Sequence, residues 1–217
     1  MIRVALIDGD VAIRAGRRLM IDSQVNLQLV YEESEAQTAL EKVPELLVDV
    51  IVIDHRLKGF DGLQLAKKLV DAFSDKGEPT PTIVITGAYA TPELVLAAIR
   101  CGASDVVTQD APLAELLTAI NNSESSKHLA DFSTFAEVLN HSNYVPQPDP
   151  LFILRRSQLG ELEKLVLQRL DEGLVLAEVS KEINLSDDEF RDLLLRIQIQ
   201  LHVATQEQLL LALHDAR

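Results

Sequence analysis

Aromatic residues supply only 4% of this 217-residue chain. Leu, Val, Ile and Ala must therefore fill whatever core its 47% apolar content builds. Cysteine is almost missing: Cys101 stands alone, which excludes an internal disulfide and suits a reducing cytosol. Positive charge is short as well. Twenty Lys+Arg against thirty-four Asp+Glu give a formal net charge of −14. A nucleic-acid binder usually starts from the opposite balance, because phosphate contacts supply most of its affinity. No run approaches the ~20 apolar residues of a membrane span, and the opening MIRVALIDGD turns acidic before a signal-peptide core could form. A cytoplasmic protein with no membrane partner is expected. His55, His128, His141, His202 and His214 lack metal-ligand spacing, and neither a glycine-rich phosphate loop nor a nucleophile elbow occurs. The chain is therefore expected not to be an enzyme.

What is present is a strict alternation. Short apolar runs at 3–7, 27–32, 49–54, 82–86 and 104–109 read as strands. Between and after them, 11–21, 35–43, 61–73, 92–102 and 112–120 carry helical spacing, the fourth with Pro92 in its first turn and Gly102 at its end. Strands separated by helices imply right-handed crossovers and a parallel sheet covered on both faces. The expected class is α/β, a flavodoxin-like doubly wound five-stranded domain, followed by a small all-α domain. The expected boundaries are 1–122, a Ser/Asn- and Pro-rich linker at 123–150 with a short helix over DFSTFAEVL, and 151–217. In the last part, 161–173, 176–183, 186–201 and 206–216 are expected helices.

In the doubly wound class the working site lies beyond the carboxyl ends of the strands. Asp8, Asp10 and Asp54 follow strands one and three and are expected to converge there. Three clustered carboxylates repel and need a cation. Mg²⁺ takes oxygen ligands and suits them, and a carboxylate beside it can accept a phosphoryl group. The alternative is that such acids are solvated loop residues or helix caps.

The segments RVALIDGD, VDVIVIDHRLKGFDGLQLAKKL and TIVITGAYATPELVLAAIRCGASDVVTQDAPLAELLTAI resemble a response-regulator receiver domain. The resemblance implies that Asp54 is the phosphoacceptor, Asp8 a metal-site acid, and Thr86 the hydroxyl that turns inward on phosphorylation. It also implies a sensor kinase as partner and Mg²⁺ as cofactor. The chain departs from the family pattern in three places. Gly9 stands where the second of two adjacent acids belongs, with Asp10 one residue later. Gln109 replaces the lysine that contacts the phosphoryl group, and Val106 replaces the switch aromatic. Weak or absent phosphorylation, with poor affinity for Mg²⁺, is the expectation.

Residues 159–213 resemble the LuxR-type helix-turn-helix domain of NarL/FixJ response regulators, through LGELEKLVLQRLDEG, LVLAEVSKEINLS, DDEFRDLLLRIQIQLHV and QEQLLLAL. That resemblance implies promoter DNA as partner and the last helix as a homodimer surface. Its DNA-reading positions have thinned: Ala177, Gln200 and Gln206 stand at basic positions, leaving Arg191 and Arg196 as candidate DNA contacts. Residues 151–217 carry eight Lys+Arg and twelve Asp+Glu. Phe190 and Leu193 lie where a DNA-reading face would be polar and are expected to form an apolar patch for protein contact. Two functions stay open. One is a response regulator controlling gene expression through DNA. The other is a non-DNA-binding adaptor acting by protein contact or dimerisation.

Overall fold

A computed structural model describes residues 1–121 and 144–216. The expected helix over DFSTFAEVL and most of the expected linker lie outside the described residues. Five strands, β1 (Ile2–Ile7), β2 (Leu27–Glu33), β3 (Val50–Asp54), β4 (Thr82–Gly87) and β5 (Asp105–Thr108), form one parallel sheet in the order β2-β1-β3-β4-β5. This is the flavodoxin-like order, with its switch point between β1 and β3. Helices α1 (Val11–Asp22), α2 (Ala36–Lys42), α3 (Gly62–Asp75), α4 (Pro92–Arg100) and α5 (Leu113–Asn121) cover both faces. Strand β3 is buried along its whole length, as a central parallel strand must be. Ala5, Ile7, Ile51, Ile53 and Leu65 pack on one side of the sheet, and Val4, Leu6, Val52, Ile21 and Ile120 on the other.

The tail is helical: α6 (Pro150–Ser157), α7 (Glu161–Asp171), α8 (Leu176–Glu182), α9 (Asp187–Leu201) and α10 (Gln206–Asp215). Helix α6 was not among the expected helices, although its signals are explicit. Asp149 caps it by accepting from Leu151 N, and Pro150 occupies its first turn. It belongs to the tail, because Phe152 is buried with Val166, Leu167, Leu193 and Ile197.

The apolar patch expected at Phe190 and Leu193 is not on the surface. They are 6% and 0% exposed and sit inside the tail's core with Ile197 and Leu201. At spacings of three and four they form the buried stripe of α9, so they are not an interaction patch.

The tail rests on the sheet domain through α10 and the end of α9. Leu211 packs with Leu96 and Ile99 of α4. Asp215 is buried between Arg100, at 3.3 Å, and the Tyr144 hydroxyl, which donates to it at 2.5 Å. Gln208 Nε2 donates to the Arg100 carbonyl at 2.9 Å. Gly102, with φ +87°, allows this close approach: a Cβ there would lie 2.8 Å from both Gln208 Oε1 and Val70 Cγ2. His202 Nδ1 lies 3.1 Å from Asp71 Oδ1 on α3. The helix expected as a homodimer surface therefore spends one face on the sheet domain of its own chain. Placing a charge there, as in Leu211→Glu, should release the tail. The readout is a larger radius of gyration by small-angle X-ray scattering with the sheet domain's melting unchanged.

Candidate functional site

The β1–β3 switch point brings Asp8 and Asp54 to one rim. Both are buried, Asp8 fully. Their location follows from the strands: Asp54 ends β3, and Asp8 follows β1 with its amide bonded to the Glu33 carbonyl at 3.0 Å. Asp54 Oδ1 accepts from Arg56 N at 3.0 Å, and His55 Nδ1 lies 3.4 Å from the same oxygen. Gln109 Nε2 reaches Asp54 Oδ2 at 3.5 Å. Gln109 thus occupies the approach to the carboxylate with a neutral amide. Gly62 is required beside this strand end, since a Cβ there would meet the Asp54 carbonyl oxygen at 2.1 Å.

Asp10 does not join the pair. Its backbone is extended (φ −87°, ψ 117°) and its carboxylate caps α1, accepting from Ala12 N at 2.8 Å and Ile13 N at 3.0 Å. It is exposed, and the two amides hold its pKa below the ordinary value. The expected triad of Asp8, Asp10 and Asp54 is therefore corrected to a pair. The reason is the cap: an acid just before a helix satisfies amides that have no partner within the helix. Among the described residues no group of three or more His, Cys, Asp or Glu side chains comes together to hold a metal ion.

Gly9, between Asp8 and Asp10, carries no side chain at this rim. A Cβ built there lies 3.6 Å from the Arg56 carbonyl, an ordinary contact. The missing side chain, and not a lack of space, removes the carboxylate. In its stead comes a residue absent from the expected site, Arg17. It is 7% exposed, and its Nη1 pairs with Asp8 Oδ2. Arg14 adds a bond from Nη1 to the Asp8 carbonyl at 2.5 Å and one from Nε to Glu32 at 2.9 Å. Burial pushes the Asp8 carboxyl above its ordinary pKa. The Asp10 amide and Arg17 oppose that rise, and Asp54 adds to it. A guanidinium stays charged at any ordinary pH, so the contact sets a permanent positive charge against the Asp8 carboxyl. Mg²⁺ demands near-octahedral oxygen ligation. Two carboxylates and waters can supply that, but Asp8 Oδ2 is already taken by the Arg17 guanidinium, and the pair as it stands does not fit the ion.

The remaining predicted residues fall as follows. Thr86 is fully buried at the end of β4, its hydroxyl 3.4 Å from the Ile53 carbonyl. Val106 is half-buried on β5 and packs on the sheet core. In the tail, Arg191 and Arg196 are exposed on α9, but Arg191 Nη1 lies 3.0 Å from Asp188. The first turn of α9 carries Asp187, Asp188 and Glu189. Glu189 closes a capping box, accepting from Ser186 N at 3.0 Å and Ser186 Oγ at 2.6 Å, and those bonds lower its pKa and keep it ionised.

This rim, on this sheet order, defines a receiver. The family model of the response regulator receiver domain matches residues 4–121. The chain belongs to that family, and its receiver followed by a helical tail fits the NarL/FixJ response regulators. It is 26% identical over 209 residues to the DNA-binding transcriptional activator DevR/DosR of Mycobacterium tuberculosis, covering 96% of this chain and 92% of that protein. Identity to the transcriptional regulatory protein LiaR of Bacillus subtilis is 23%, over 96% of this chain and 94% of that one. Among solved structures, the response regulator RcsB in complex with DNA superimposes with a TM-score of 0.53 at 19% identity, covering 100% of this chain and 99% of that one. At that identity the likeness concerns the fold alone. No helix among the described residues is long and apolar enough to cross a membrane.

Proposed function

We propose that this response regulator controls gene expression with a receiver that takes a phosphoryl group on Asp54 weakly or not at all. In this reading residues 1–122 and 151–217 act as two units joined by 123–150, and neither is an enzyme. One observation carries it: Arg17 is seated on Asp8, so the rim holds a carboxylate pair with one member already neutralised. Gln109 reinforces it. A neutral hydrogen bond contributes about 0.5–1.5 kcal/mol where a charge-assisted one contributes about 1.5–3 kcal/mol. A deficit of ~1.4 kcal/mol is tenfold, so one missing cationic contact lowers occupancy of the phosphorylated state by roughly one order of magnitude.

The test is intact mass after incubation with a small phosphodonor and Mg²⁺. The expected result is little or no adduct, with wild type and Asp54→Asn nearly indistinguishable. A stoichiometric adduct absent from Asp54→Asn would refute the reading.

A second reading, an adaptor acting by protein contact, is favoured by the acidic start of α9. Three acids there complement the helix dipole, yet the N-terminal residues of a recognition helix are the ones that meet base edges between phosphates. The same charges that hold the helix repel its ligand. Under the gene-expression reading, promoter binding followed by fluorescence anisotropy should show a shallow salt dependence. The slope is roughly −0.9 per phosphate contact, so few contacts give a small slope, and Arg191→Ala should flatten it further. Absence of any salt-sensitive binding would select the adaptor.

A further inference from the structure

We propose that Arg17 is the receiver's resident cation, a guanidinium seated on Asp8 that does the neutralising a metal ion would otherwise do at this rim. This deepens the reading of a receiver with little metal-dependent phosphorylation and rests on it, starting from the same Asp8–Arg17 pair. Arg17 lies on the sheet-facing side of α1 with Met20 and Ile21, and all three are buried. Arginine is almost never buried unpaired, and here the partner is the fully buried Asp8. Arg14 fastens the same helix to the Asp8 carbonyl and to Glu32. Asp10 is committed to the cap of α1. Gly9 offers no carboxylate although its Cβ position faces the Arg56 carbonyl. Each departure alone is a small change. Together they convert a repelling acid cluster into one ion pair plus Asp54, which meets the amide of Gln109.

Two carboxylates that both ionise repel strongly at short range. A guanidinium relieves that repulsion through a directional bond to one of them, and it cannot dissociate as a metal can. The rim should therefore have the same geometry and stability whether or not divalent cation is present, and restoring a metal site should require removing Arg17 and supplying a carboxylate at position 9.

The experiment titrates Mn²⁺ against the full-length protein and follows the electron paramagnetic resonance signal of the free ion. Wild type is expected to leave that signal as in buffer. Gly9→Asp/Arg17→Ala is expected to take up Mn²⁺ saturably, and adding Asp8→Asn to it should abolish the uptake. Saturable uptake by wild type would overturn the proposal. So would a double variant that is folded by circular dichroism yet takes up nothing. If the double variant does not fold, the urea midpoint of wild type with and without Mg²⁺ at matched ionic strength decides instead. No shift is expected, and an upward shift refutes the assignment. If wild type excludes Mn²⁺ yet takes a phosphoryl group on Asp54, the assignment of Arg17 stands and the weak-acceptor reading fails.

Discussion

Asp8→Asn is expected to destabilise the receiver by about 3–5 kcal/mol, the usual loss when one partner of a buried ion pair is removed. The sign carries the information. At a rim of mutually repelling acids, neutralising one acid relieves strain and raises the melting temperature. Here the change leaves Arg17 buried and charged with no counter-charge, because a guanidinium cannot shed its proton. Asparagine keeps the shape of the side chain and an oxygen for the Asp10 amide, which Asp8 Oδ1 now accepts at 2.8 Å. The loss is then chiefly electrostatic. Thermal denaturation should show a drop on the order of 10 °C. Asp8→Asn/Arg17→Met, which removes both charges, should recover much of it. A melting temperature for Asp8→Asn at or above that of wild type would show that Arg17 does not depend on Asp8.

How much of this was legible beforehand differs between fold and site. The strands were readable because parallel strands buried on both faces are continuous apolar runs, as in IVID before the rim, and the helices between them carried clean periods and caps. The class of site was readable because sheet order and acid position go together. Three particulars were not. Asp10 was taken for a ligand because it lies close to Asp8 in sequence, yet an acid directly before the first helical residue is the commonest kind of cap. Arg17 is one of three arginines in α1, but unlike Arg14 and Arg18 it falls four residues after Ile13 and three before Met20, on the apolar stripe. A charge on such a stripe is a signal, and its meaning depends on which carboxylate the fold brings opposite. That information is tertiary. Helix α6 begins at the last residue of the expected linker and has no counterpart among the expected helices, even though Asp149-Pro150 is a helix start.

The site's tolerance of its own departures also has a physical basis. Gly9, Gln109 and Val106 each remove something a switching receiver would use. None leaves a buried charge without a partner among the described residues. Asp8 has Arg17, and Asp54 has the Arg56 amide and Gln109. A rim already compensated has less need of an added ion, and less drive to rearrange when one arrives. On the proposed reading, the Asp8–Arg17 pair that holds the rim is also what limits its switching.

Leu193→Ala should have an effect of similar size in the tail, about 2–5 kcal/mol, because Leu193 is fully buried and truncation leaves a cavity its neighbours cannot fill. Its surroundings are Phe152, Val166, Leu167, Val179, Phe190, Ile197 and Leu201, one small core built by all five helices of the tail. A domain of this size holds only ~0.05–0.15 kcal/mol of stability per residue, so the loss consumes much of what keeps it folded. Phe190→Ala, at about 3–5 kcal/mol, should behave alike. Leu195 points outward at 39% exposure, and Leu195→Ala should stay within about 0.5 kcal/mol. Equilibrium urea unfolding, followed by the helical signal of the tail, separates these outcomes. If Leu193 and Phe190 served partner contact instead, both substitutions would leave the unfolding curve unmoved and abolish only binding. A large downward shift, with Leu195→Ala unaffected, marks the apolar run of α9 as the tail's own interior and leaves only the charged side of that helix, from Asp187 to Arg196, open to solvent.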